Sequence, residues 1–134
     1  MDSVFEIKIR HLAANDPRYH IEAYRFVTDS VSFTVERLSE HRHVTALELM
    51  QGMRDFAVKE YGAMAEEVVR SWGIHTASDA GNLVYLLIGA ELLSASPGDK
   101  RSDFDIDFPP YPPAENQLQK TALFALPKID QGAK

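Results

Sequence analysis

The stretch Asp79-Ala80-Gly81-Asn82-Leu83-Val84-Tyr85-Leu86-Leu87-Ile88-Gly89-Ala90-Glu91-Leu92-Leu93 is apolar on nearly every side when wound as a helix. A helix of that kind has no solvent face of its own, so it belongs at the buried centre of a domain. Its most apolar part, Leu83 to Leu93, is 11 residues long and includes Glu91. A bilayer-spanning helix needs roughly 20 apolar residues. The spacing therefore predicts a core helix from Ser78 or Asp79 to Leu93, in a mainly helical domain whose function no single motif reveals.

Outward toward the N-terminus, Gly73 suits the left-handed residue that ends a helix. Before it, Ala63 to Trp72 places Met64, Val68 and Trp72 at spacing four. Thr45-Ala46-Leu47-Glu48 has the spacing of a capping box and opens a helix from Ala46 to Tyr61. Leu49, Met50, Met53, Phe56, Ala57 and Tyr61 form its apolar face. Further upstream, Tyr24, Val27, Val31, Val35 and Leu38 fall within about 80° of arc, with Phe26 and Phe33 opposite. A helix from Ile21 to Leu38 with two apolar sides is either central to the fold or shared with another chain. Val31–Val35 also alternates with period two, which leaves a strand open there. Ser3 and Glu6 suggest a first helix carrying Phe5, Ile9 and Leu12, ended by Asn15-Asp16-Pro17.

Outward toward the C-terminus, Ser96-Pro97-Gly98-Asp99 reads as a turn. Asp103-Phe104-Asp105-Ile106-Asp107-Phe108 alternates acid and apolar residue, the pattern of a half-buried strand. With Leu92–Ser96 it could form a hairpin, giving about five helices and a small C-terminal β element in a winged-helix-like layout. Residues 1–108 are then the domain. Residues 109–134 are a proline-rich, partly mobile tail, with a short amphipathic helix one option for Leu118–Leu126. Pro109-Pro110-Tyr111-Pro112-Pro113 must be extended, either as a ligand for an aromatic groove or packed on its own domain, with Tyr111 as anchor.

The 134 residues suit one domain, and the absence of cysteine removes disulfide and thiolate-metal chemistry. No secretory signal opens the chain, so a cytoplasmic location is expected. A net charge of −6 argues against nucleic acid as the main partner. The helix from Asp79 would be the reading helix of a winged fold. It offers Asn82 and Tyr85 but no basic residue, and Asp103, Asp105 and Asp107 would repel phosphate.

His43-Val44-Thr45, Glu48-Leu49, Gly52, Arg54, Ala57, Tyr61-Gly62 and Ala65 fall along one stretch, completed by Trp72-Gly73-Ile74, Thr76, Asp79, Gly81 and Leu92-Leu93. With Glu22-Ala23-Tyr24-Arg25-Phe26-Val27, this string resembles a small uncharacterised protein family of planctomycetes and verrucomicrobia. The resemblance spans about residues 19–108, with Ala80 where an aromatic is expected. It implies one compact domain and carries no activity, cofactor or catalytic residue.

Sites of chemistry are sparse. Asp103-x-Asp105-x-Asp107 lacks the glycine and glutamate of a calcium loop, since Phe108 and Ala114 stand at those positions. His41 and His43 flank Arg42 with no third ligand evident, so no metal and no cofactor is expected. No nucleophile elbow or phosphate loop is present. The expected function is a non-enzymatic protein-interaction or regulatory domain, binding a partner or itself through Phe26, Phe33, Phe104, Ile106, Phe108 or Tyr111. A winged-helix regulator is the first alternative; a small enzyme using His43, Glu48 or Glu91 is the second. A small-molecule ligand cannot be named from sequence.

Overall fold

The computed structural model describes residues 3–40 and 42–112. Among them are five α-helices: α1 (Val4–Asn15), α2 (Ile21–Glu36), α3 (Ala46–Tyr61), α4 (Ala65–Ser71) and α5 (Ala77–Gly89). Two short 3-10 turns, Gly62–Met64 and Arg101–Phe104, complete the regular structure.

α5 is the centre. Ala80, Leu83 and Leu87 have no exposed surface, and Ala77 and Val84 are buried beside them. Its start is fixed by a capping box. Thr76 Oγ1 accepts from the Asp79 amide at 3.1 Å, and Asp79 accepts the Thr76 amide at 3.2 Å. The other carboxylate oxygen of Asp79 accepts from the Tyr19 hydroxyl at 2.8 Å, tying the loop before α2 to the start of α5. At the far end of α5, Lys8 of α1 donates to the Ala90 carbonyl at 2.6 Å, a cation where the helix dipole is negative.

α2 packs on α3, α5 and α1. The segment Val31–Val35 is helical, because tertiary burial outweighs the β preference of branched residues. This chain covers both sides of the first half of α2 and leaves Val31 and Val35 half-buried. Tyr24 and Val27 face the core, while Phe26 meets Phe56 and Trp72 at ring distances of 5.8 and 5.6 Å. α2 and α3 approach closest where Gly52 faces Thr34. A Cβ on Gly52 would stand 1.8 Å from Thr34 Oγ1, so only glycine lets the helices meet there.

The expected C-terminal strand is not present. No strand occurs among the described residues, so neither the hairpin nor the winged-helix layout holds. The alternating acids have other roles. Asp103 accepts the Lys100 amide and turns the chain into the 3-10 turn. Asp105 pairs with Arg101, whose guanidinium also reaches Asn82 Oδ1 at 2.7 Å. Phe104 points inward against Gly81, where a Cβ would come within 2.5 Å of the Phe104 Cβ. Ile106 stays on the surface, so alternation in sequence is not alternation in burial.

The proline run beyond Phe108 packs onto the domain as far as it is described. Arg54 lies over the Phe108 ring at 3.8 Å and donates to the Pro109 carbonyl at 2.8 Å. Pro110 is fully buried and Tyr111 nearly so. The Tyr111 hydroxyl accepts from Arg70 and donates to the His75 carbonyl, at 3.0 and 3.1 Å. The Leu118–Leu126 expectation lies outside the described residues, as does His41.

Candidate binding cleft

The interaction residues expected from sequence are largely spent inside the fold. Phe26, Phe104 and Tyr111 are buried, and Phe108 lies under Arg54. Phe33 is half-buried against Phe56 at 5.3 Å, with Arg37 over its ring at 4.8 Å. Only Ile106 offers open apolar surface, and by itself it is an ordinary surface residue.

The three residues of the enzyme alternative do not form a constellation. Glu48 is held in a bidentate pair by Arg42 at 2.9 and 2.8 Å and also accepts the Thr45 amide at 2.9 Å. The Arg42 hydrogen bonds first, then the amide, hold its pKa down at about 2, so it is a fixed carboxylate rather than a proton carrier. Glu91 is exposed at the end of α5. His43 is exposed and lies at the mouth of a cleft that neither glutamate lines. Among the described residues, no three His, Asp or Glu side chains are grouped to hold a metal ion. None of the described helices is long and apolar enough to cross a membrane.

That cleft is lined mainly by apolar side chains and has a volume of about 490 Å³. Its floor is α5, through Val84, Tyr85 and Ile88. One wall is Val31 and Val35 of α2, with Val44, Ala46 and Leu49 at the start of α3. The other wall is the segment after α5, through Leu92, Leu93 and Ala95 and on to Phe104. The walls exist because α2 is apolar on two sides: one packs on the aromatic cluster, while Val31 and Val35 stay half-buried.

Charges ring the mouth on both sides. Arg42 and His43 stand on the α3 side; Asp99, Lys100 and Asp103 stand on the other. Most are already engaged: Arg42 with Glu48, Asp99 with the Ser96 amide at 2.7 Å, Asp103 with the Lys100 amide at 3.0 Å. The Tyr85 hydroxyl is the polar group set within the apolar part. Burial, then nearby Asp99 and Asp103, pushes its pKa up and keeps it protonated at neutral pH. A second, shallower hollow holds Arg18, His20, Arg70 and His75. Its two guanidiniums are likewise occupied, by Asp16 and Tyr111.

No family model, curated protein or solved structure matches this chain. The cleft is a feature of the assembled fold. It was not visible in the sequence, because Val31, Leu49, Ile88 and Leu92 have the spacing of core residues. The signal was an excess: more apolar positions on α2 and after α5 than one core requires.

Proposed function

We propose that this protein is a non-enzymatic binding domain that receives an amphipathic helix of a partner protein in the cleft between α2, the start of α3 and the segment after α5. The carrying observation is an apolar trough rimmed by charges of both signs. A helix laid in a groove draws affinity from apolar residues at helical spacing and orientation from charges along the edge. A small-molecule site needs several polar groups converging on the ligand. Here the lining is mostly apolar, from Val31, Val35, Leu49, Val84, Ile88 and Leu92, which favours the helical occupant.

The test selects displayed amphipathic peptides on the native protein, then measures their binding to Val35→Glu and Val44→Glu. Both side chains line the cleft and are half-buried. Binding should weaken at least about tenfold in each, the scale of about 1.4 kcal/mol. Melting temperatures should stay close to the parent's. Peptides that bind both variants as well as the parent would place the interaction elsewhere and overturn the reading.

A further inference from the structure

α5 ends against the preference of its own sequence. Ala90, Glu91, Leu92 and Leu93 include good helix formers, yet the helix stops at Gly89 and Glu91 adopts a φ of 63°. Glu91 is the sole non-glycine residue with positive φ among those described. The stop is closed by two amides: Glu91 donates to the Ile88 carbonyl and Leu92 to the Leu87 carbonyl, each at 2.9 Å. In this pattern the left-handed position is usually glycine. Here the glycine, Gly89, stands two residues too early. A side chain in the left-handed region is sterically disfavoured. Glu91 is exposed, and its side chain makes no polar contact with the described residues that would hold it there.

What opposes helix extension lies on either side of Glu91. Leu92 and Leu93 pack against the core and wall the cleft, and Lys8 grips the Ala90 carbonyl. We propose that Ala90–Leu93 is the switch of the cleft. The segment stays folded inward while the cleft is empty. It adds a turn to α5 when an apolar occupant displaces the two leucines. An occupant that takes the leucines' place removes the packing that holds the strained turn, so binding and relief of strain are coupled. The inference rests on the cleft being the binding site.

The probe is the apolar dye 1-anilinonaphthalene-8-sulfonate, titrated by fluorescence, with backbone carbon shifts of residues 90–93 followed by NMR. Glu91→Gly relaxes the left-handed turn and disfavours helix. Glu91→Ala keeps the strain and favours helix. Both remove the same charge, so their difference reads the backbone alone. Glu91→Gly should bind about five-fold more weakly than Glu91→Ala, and the parent's shifts at 90–93 should move toward helical values on saturation. Equal affinities with unmoved shifts would overturn the switch and leave the cleft standing. Unchanged dye binding by Val35→Glu would remove the cleft reading, and the switch with it.

Discussion

Tyr24 is wholly buried, and its hydroxyl has no partner among the described residues. Burial first, and then the Asp16 carboxylate, pushes its pKa up to about 12. A buried hydroxyl without a partner has lost its hydration and gained nothing in return. Tyr24→Phe deletes only that oxygen, so it should stabilise the fold by about 1 kcal/mol, read as a higher urea midpoint. The sign with pH follows from the raised pKa. The contribution of this group is complete below the ordinary tyrosine value of 10 and is lost as the pH climbs toward 12. The variant should therefore lose less stability than the parent on the alkaline side. Glu48 behaves oppositely. Its folded pKa of about 2 lies below the ordinary 4.5, so its contribution is complete above 4.5 and fades as the pH falls toward 2. Melting curves between those limits should be less steep in pH for Glu48→Gln than for the parent.

At the scale of elements, the ends of helices were the most legible feature, and where they misled there is a physical cause. Thr45 with Glu48 marks the start of α3 in sequence and in structure. The expected start of α5, Ser78 or Asp79, falls one or two residues after the observed Ala77, because its box uses Asp79 in place of the longer glutamate. Its end was read four residues too far, since nothing in Glu91-Leu92-Leu93 signals a stop; the stop comes from leucines packing on distant residues. The strand expected at 103–108 failed for a related reason: with no neighbouring strand to supply backbone partners, Asp103 turned to a local amide and Asp105 to Arg101. The crossing of α2 and α3 was equally silent, because Gly52 in a helix reads only as a weak point. Gly52→Ala should cost about 1–3 kcal/mol through overpacking against Thr34. Adding Thr34→Ala should recover part of that loss, seen as a non-additive double-mutant cycle in urea.

Taken as one molecule, α2 packs on α1, α3 and α5, α5 packs also on the 3-10 turn Arg101–Phe104, and the segment after Phe104 closes the domain. The core was readable from periodicity, whereas the cleft was not, since apolar residues facing a trough and a core are alike in sequence. The proline run belongs to the closure. Tyr111→Ala should cost about 3 kcal/mol, as for other buried aromatic truncations. Tyr111→Phe should cost nearer 1 kcal/mol through the lost hydroxyl bonds. A thermal melt of each separates the two.

That closure also has a kinetic side. Its hydrogen bonds join residues 55, 41 and 36 positions apart, from Arg54, Arg70 and His75 to Pro109 and Tyr111. Helical bundles fold fast because most of their contacts are local, and contacts across long separations come with slower steps. The helices can assemble before residues 108–111 seat, which makes the seating a late event in folding and an early one in opening. Amides near Pro110 and Tyr111 should then exchange with solvent sooner than those in the middle of α5, at a free energy below that of global unfolding.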